Sequence, residues 1–149
     1  MSFEFTVITP EKTTLTGKAN YISIPAWEGS MGILPRHEPY IVMLTEGLVY
    51  IEKSSSDKTD QDEYLSVSGG FAEITQKKVT LFAETAETAT NINEERARLA
   101  MQRAKDSIVM ASKREKGYQR IDVQAAQAAL GRALVRLKTS QRLKTRRRK

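Results

Sequence analysis

The residues that could carry out chemistry are few in this chain. His37 is the only histidine and there is no cysteine, which excludes disulfides, thiolate metal sites and cysteine nucleophiles. His37 stands next to Glu38, but adjacent side chains on an extended chain point to opposite faces and do not readily meet. No Gly-x-x-x-x-Gly-Lys-Ser/Thr phosphate loop is present. The sequence therefore predicts neither a catalytic residue nor a metal site.

Positive charge is concentrated at the C-terminal end. Residues 138–149 contain no acidic side chain and seven basic ones: Lys138, Arg142, Lys144, Arg146, Arg147, Arg148 and Lys149. Lys and Arg suffice to neutralise phosphates, so nucleic acid is one partner that this end suits. Base stacking has little support, because Tyr118 is the only aromatic residue after residue 90. An acidic protein surface fits the charge equally well, and a solvated tail is the third interpretation.

The charge divides the chain into two segments. Residues 1–90 carry 7 Lys/Arg and 13 Asp/Glu, a net charge of −6, whereas residues 91–149 carry 17 and 5, a net charge of +12. Aromatic residues lie almost entirely in the first segment. No apolar run is long enough to span a membrane, and the N-terminus does not have the pattern of a secretory signal. We expect two domains of different build, at residues 1–88 and 91–149.

The first segment has the pattern of short β-strands. Phe3, Phe5 and Val7 alternate with polar residues, and two short runs at 13–15 and 19–24 are separated by Gly17. Turn signals recur along the segment, which is typical of a β-sandwich or flattened barrel. The expected core is Phe5, Val7, Ile22, Ile24, Ile33, Leu34, Val42, Leu65, Val67, Phe71, Ile74, Val79 and Leu81.

Residues 28–39 interrupt this pattern. They hold two glycines and two prolines, which preset the backbone, and between these the apolar residues Met31, Ile33 and Leu34. This composition predicts a shaped loop with an apolar face.

The second segment has the period of an α-helix. Asn93 and Asp122 are suitable N-caps, and Gly117 is a suitable stop between two helices. The predicted apolar stripes are Ala97, Ala100, Met101, Ala104, Ile108 and Ala111 in the first helix, and Ala126, Ala129, Leu130, Ala133, Leu134 and Leu137 in the second. Alanine-rich stripes bury little apolar area. We therefore expect a marginally stable antiparallel hairpin that can dock in more than one place.

Several blocks of this sequence, in fixed order, resemble one known family. The first is Gly-x-x-Gly-Ile-Leu-Pro-x-His-x-Pro at residues 29–39, followed by Glu-Gly-Leu at 46–48 and Ser-Gly-Gly-Phe at 68–71. They resemble the epsilon subunit of F-type ATP synthases, and the likeness extends over residues 3–137. Members of that family have a β-sandwich followed by a two-helix hairpin, which is the architecture predicted here from the residues.

The resemblance implies a non-catalytic rotor subunit. It would link the gamma subunit to the ring of c subunits during proton-driven ATP synthesis, peripheral to the membrane on the cytoplasmic side of a bacterial inner membrane or its organelle equivalent. The implied docking residues are Glu28, Gly29, Ser30, Met31, Gly32 and His37. Many relatives have an acidic residue where this chain has Ser30, so a charged contact with the ring is not expected at that position.

The resemblance also implies a role for the helices. The hairpin would extend along gamma and hinder ATP hydrolysis by contacting the alpha and beta subunits, where an acidic segment of beta is the target. The residues expected to make this contact are Arg132, Arg136, Lys138, Arg142 and Lys144.

Some bacterial relatives bind ATP on the folded hairpin. The matching positions here are Arg96, Arg132 and Arg136, and no other cofactor is expected. Asn93 stands where the motif has aspartate; it keeps the helix cap but removes a negative charge, so a regulatory ATP site remains an open alternative. The alternative for the chain as a whole is a β-sandwich interaction module whose basic arm binds nucleic acid.

Overall fold

The protein consists of seven strands followed by two helices. The structure is a computed structural model, and it describes residues 1–54, 62–112 and 122–147, without the side chain of residue 147. The elements are β1 (Phe3–Ile8), β2 (Thr13–Ala26), β3 (Gly29–Ile33), β4 (Tyr40–Met43), β5 (Gly47–Lys53), β6 (Glu63–Ile74), β7 (Lys78–Thr88), α1 (Glu94–Ser112) and α2 (Val123–Arg147). This order confirms the predicted fold class. The expected helix stop at Gly117 lies outside the described residues.

Strand β1 closes the sheet into a flattened barrel. It pairs in parallel with β7 and antiparallel with β2. The path from β7 through β6 and β5 to β2 is antiparallel throughout. Two strands lie outside this closed ring: β3 continues beside β2, and β4 lies beside β6. Closure leaves few free strand edges, which protects the domain against edge-to-edge pairing.

The interior of the barrel contains most of the predicted core. Val42 is half-buried against it, and ten of the other predicted residues are buried. The prediction was wrong for Leu34 and Phe71, which are 61% and 41% exposed. The core also includes residues that the sequence analysis did not select: Phe3, Ala19, Leu44, Val49, Ile51, Ala72 and Ala83.

Three glycines explain where the strand predictions failed. Strand β2 continues through Gly17. A Cβ at this position would lie 3.0 Å from Cε1 of Phe5, so the glycine makes room for that ring. Gly69 and Gly70 have φ of 63° and 108°, and β6 continues through them. Before them the apolar residues Leu65 and Val67 are buried, and after them Ala72 and Ile74 are. Phe71 therefore faces outward.

Residues 28–39 are not a loop throughout. Residues 29–33 form β3, which pairs with the second half of β2. Their side chains are mostly exposed, and only Ile33 is fully buried in this strand. The expected loop geometry begins after Ile33, where Arg36 has a φ of 65° and the amide of His37 donates to the carbonyl of Leu34 at 3.2 Å.

The helices begin at the predicted caps and run antiparallel. The side-chain oxygen of Asn93 accepts from the amide of Arg96 at 2.9 Å, and that of Asp122 accepts from Ala125 at 3.1 Å. The antiparallel arrangement follows from Glu94, at the start of α1, which contacts Ser140 near the end of α2.

The apolar stripe of α1 is confirmed, and that of α2 is confirmed in part. All six predicted residues of α1 are buried or half-buried. In α2, Leu134 is 47% exposed, which contradicts the prediction. Buried Thr139 and Ser140 extend the contact face instead. They were not expected there because hydroxyl residues are usually exposed, but each hydroxyl has a partner: the carbonyl of Val135 for Thr139 and Glu94 for Ser140.

Candidate functional site

The segment of residues 28–37 forms an exposed edge of the barrel. Of the six predicted docking residues, Glu28, Gly29, Ser30 and Gly32 are exposed, whereas Met31 and His37 are half-buried. Met31 packs against the core, and the hydroxyls of Ser30 and Ser23 lie 2.7 Å apart across β2 and β3. The predicted residues thus lie on β3 and in the turns before and after it. Trp27, just before the strand, is 85% exposed and was not predicted.

His37 is held by the backbone rather than by an acidic side chain. Its Nδ1 lies 2.8 Å from the carbonyl oxygen of Glu38, an acceptor, so this nitrogen is the protonated donor. Among the described residues, no three His, Asp or Glu side chains converge in a group that could hold a metal ion. The geometry at His37 is that of a turn.

A row of apolar side chains crosses the outer face of four strands. Strand pairing aligns Met43 with Phe71, Phe71 with Phe82, and Phe82 with Ile8. The rings of Phe71 and Phe82 are stacked with centroids 4.7 Å apart. Met43 is 66% exposed, and nothing in the described part of the chain covers it. An uncovered apolar row of this kind is typical of an interaction surface, and we call it the apolar row. Nothing in the sequence signalled it, because the outward direction of Phe71 depends on the backbone at Gly69 and Gly70.

Helix α2 lies against β5 and β6, and two of its basic side chains pair with acidic side chains of the barrel. Nε of Arg136 donates to Glu87 at 2.9 Å, and Arg146 pairs with Asp62. Both contacts join the hairpin to the barrel.

Glu46 lies against the backbone of α2. A Cβ on Gly131 would collide with its carboxylate, so a glycine stands where the helix passes this side chain. Burial raises the pKa of Glu46 above its ordinary value of 4.5, and the nearby charges of Arg132 and Arg136 act against that rise.

The predicted inhibitory residues occupy two kinds of position. Arg136 and Lys144 are engaged, Arg136 with Glu87 and Lys144 with Glu94 at 2.6 Å. Arg132, Lys138 and Arg142 are exposed, and within the described residues they form no ion pair. The folded hairpin therefore presents only part of its positive charge to a partner.

Two of the three residues predicted to bind ATP, Arg96 and Arg136, line the same cleft. An open cleft of about 790 Å³ lies beside the start of α1, and its lining includes Arg96, Arg103 and Arg136. Arg132 does not line this cleft; it lines a narrow gap next to Ser66 and Ser68. Glu87 and Glu95 also line the cleft, so its charge is mixed. Asn93 lines the same cleft while its side-chain oxygen caps α1.

Two family models match consecutive parts of the chain. The β-sandwich domain of the ATP synthase delta/epsilon chain matches residues 2–89, and its long α-helix domain matches residues 90–141. These matches define the class of protein: a delta/epsilon chain of an ATP synthase.

Three relatives specify which of the two chains it is. The ATP synthase epsilon chain of Nitratidesulfovibrio vulgaris strain DP4 is 37% identical over 92% of this chain and 94% of the relative. The epsilon chain of Halalkalibacterium halodurans is 37% identical over 88% and 91%, and that of Herpetosiphon aurantiacus is 34% identical over 94% and 95%. The chain therefore belongs to the ATP synthase epsilon family. The nucleic-acid-binding alternative has no support from these relatives.

Solved structures share the fold at lower identity. A chain in the structure of Euglena gracilis mitochondrial ATP synthase, comprising OSCP, F1 and the c-ring, superposes with a TM-score of 0.69 at 20% identity, covering 87% of this chain and 76% of that one. A chain of the central stalk and c-ring of Tetrahymena thermophila mitochondrial ATP synthase gives 0.54 at 18% identity, with 96% of both chains covered. Within the described residues, neither α1 nor α2 contains an apolar stretch of the length that a membrane span requires.

Proposed function

We propose that the barrel, residues 1–88, docks on the gamma subunit and the c-ring of the synthase, while the hairpin, residues 91–149, restrains ATP hydrolysis. The chain would have no catalytic site of its own, and it would reach the membrane only through the complex, on the cytoplasmic side in a bacterium. Membership of the epsilon family is the basis for the partners. The observation that carries the inhibitory part is the exposed positive charge of Arg132, Lys138 and Arg142 on the docked helix.

Docking is assigned to residues 28–37 and is supported by the apolar row. Ring stacking and strand pairing fix both surfaces before a partner arrives. A preformed surface loses little conformational entropy on binding, which favours a stable rotor contact.

Removing the hairpin tests whether the barrel docks and the hairpin inhibits. A complex that carries only residues 1–90 should hydrolyse ATP faster than the intact complex, because the helices no longer obstruct it. ATP-driven proton pumping should persist, since the barrel still joins gamma to the ring. Loss of pumping together with unchanged hydrolysis would contradict the proposal.

The cleft beside α1 favours a second function, regulatory binding of ATP to the docked hairpin. Arg96, Arg103 and Arg136 supply positive charge for phosphates, although Glu87 already pairs with Arg136. Calorimetric titration of the full chain with ATP tests it. Arg96→Gln should weaken binding about tenfold or more, whereas the control Lys105→Gln, exposed on the same helix and not lining the cleft, should not. No heat of binding for the intact chain would refute this function.

A further inference from the structure

The end of α2 is held by a small group of side chains that the proposed function does not use. Arg146 pairs with Asp62, and the hydroxyl of Tyr50 donates to the same Oδ2 of Asp62 at 2.8 Å. The side chain of Asp62 is only 13% exposed, whereas that of Arg146 is 45% exposed. We call Tyr50, Asp62 and Arg146 the clasp.

The barrel side of the clasp is preformed by aromatic packing. The ring of Tyr50 lies between Tyr21 and Tyr64, with centroid distances of 6.2 and 5.1 Å. Burial, and then the hydrogen bond to Asp62, raise the pKa of Tyr50 above its ordinary value, so the hydroxyl remains a donor over the working pH range. The hydrogen bond from Tyr50 thus orients the carboxylate of Asp62 from the barrel side.

The clasp differs from the contacts inside the hairpin. Glu94, Ser140 and Lys144 join α1 to α2 and would move with the hairpin as a unit. Arg136 and Arg146 instead bond to residues of the barrel, so these two contacts must break before the hairpin can leave. Arg146 lies beyond residue 141, where the match to the family's helix domain ends.

We infer that the clasp is a latch that holds the hairpin on the barrel, and that Asp62 acts as an internal substitute for an acidic surface outside the chain. A basic helix end cannot pair with both at once. Breaking the clasp should therefore release the hairpin towards its inhibitory position. The regulatory meaning of this inference rests on the proposed function, but the latch itself does not.

Spin labels on the full-length chain measure the latch directly. The absence of cysteine allows labels at cysteines introduced at Lys12, exposed in the barrel, and Gln141, exposed on α2. Asp62→Asn or Arg146→Gln should each raise the undocked fraction about fivefold, because each removes the ion pair that joins the end of α2 to the barrel. The matched controls Glu52→Gln and Lys105→Gln, exposed on β5 and α1, should leave the label distances unchanged.

Two further variants test whether Asp62 and Arg146 act through the same interaction. The double variant should undock no more than either single one, since both remove the same interaction. Asp62→Lys combined with Arg146→Glu should restore the docked distance. Circular dichroism of each variant checks that the barrel still folds. Single variants that behave like the controls, or effects that simply add in the double variant, would overturn the latch.

ATPase assays of complexes carrying the same variants separate the two claims. With the latch released, Asp62→Asn should lower hydrolysis. If the label distances change and hydrolysis does not, the latch stands and the inhibitory role is refuted. If the distances stay unchanged while removal of the hairpin raises hydrolysis, the latch is refuted and the inhibitory role stands.

Discussion

At the scale of single residues, the carboxylate of Glu94 joins α1 to α2 because it accepts hydrogen bonds from two side chains of α2. Glu94 accepts from the Ser140 hydroxyl at 2.5 Å and from Lys144 at 2.6 Å. These two hydrogen bonds, Lys144 first, lower the pKa of Glu94 below its ordinary value of 4.5. The negative form is the one that the folded hairpin prefers.

The lowered pKa of Glu94 predicts that the stability of the hairpin depends on pH. A carboxyl whose pKa is lower in the folded state contributes stability above its unfolded pKa and loses it as the pH falls through the folded value. Glu94→Gln should therefore lower the melting temperature of the helices at neutral pH. The difference from the intact chain should vanish in acid well below pH 4.5, as helical circular dichroism can show. A difference that is the same at every pH would contradict this role.

Trp27 is the residue at which docking can be tested with least damage to the fold. At 85% exposure its replacement by Ala should change the free energy of unfolding by no more than about 0.5 kcal/mol. If the neighbouring segment docks on the rotor, the same change should weaken assembly about tenfold or more, because exposed tryptophans often dominate interfaces. Val109→Ala, at 49% exposure on the hairpin, is the control. Equal assembly of both variants would count against this docking surface.

Gly32 is a less suitable position for that test. A Cβ there would lie 2.8 Å from the hydroxyl of Tyr21, so Gly32→Val would disturb the barrel as well as the docking surface.

At the scale of elements, α2 balances helix propensity against the fit to the barrel. Gly131 lowers the propensity of the helix but leaves room for the carboxylate of Glu46. The contact is with the far end of a flexible side chain, which can move aside at a cost.

We therefore expect the effects of Glu46→Ala and Gly131→Ala on the stability of the hairpin to be non-additive. In a chain with Glu46→Ala, the change Gly131→Ala should stabilise the hairpin by about 1 kcal/mol, the propensity difference of the two residues. In the intact chain the gain should be smaller, because Glu46 is displaced. Thermal unfolding of the four chains measures the difference, and equal gains in both backgrounds would show that the contact costs nothing.

The elements also show how far sequence reasoning reaches. Both helix caps, the α1 stripe and most of the core followed from local pattern, because periodicity and capping are determined by neighbouring residues. Phe71 did not, because its direction depends on the backbone at Gly69 and Gly70. Neither did the pairing of Asp62 with Arg146 or of Glu87 with Arg136, which join residues far apart in the chain. A charge count predicts that such pairs are possible but not which residues form them.

At the scale of the whole molecule, the barrel and the hairpin keep separate cores. The main cluster of buried residues extends from Phe3 to Ala83 and contains no helical residue. Helix α2 meets the barrel at the ion pairs of Arg136 and Arg146 and where Glu46 lies against Gly131. Such contacts allow two units to associate without sharing one core.

The barrel should therefore fold alone. Residues 1–88 are expected to show a single cooperative thermal transition, because the closed ring supplies its own core. Circular dichroism and calorimetry of this fragment test it. A fragment without a cooperative transition would show that the hairpin is part of the barrel's core.

The central claim is that exposed positive charge on the hairpin restrains ATP hydrolysis. Lys138 and Arg142 are suited to test it, since both are exposed and neither belongs to the clasp. Deletion of residues 138–149 would be less clear, because it also removes the buried Thr139 and Ser140.

The most direct measurement is therefore the ATPase rate of the complex carrying Lys138→Gln and Arg142→Gln, at low and at high salt. Attraction between exposed charges is screened over about 8 to 10 Å at ordinary ionic strength. Hydrolysis should rise above the intact rate at low salt, and the difference should narrow at high salt. Removal of residues 91–149 should raise it further, because the helices also obstruct sterically. If both altered complexes hydrolyse ATP at the intact rate at every salt concentration, the hairpin is not an inhibitor.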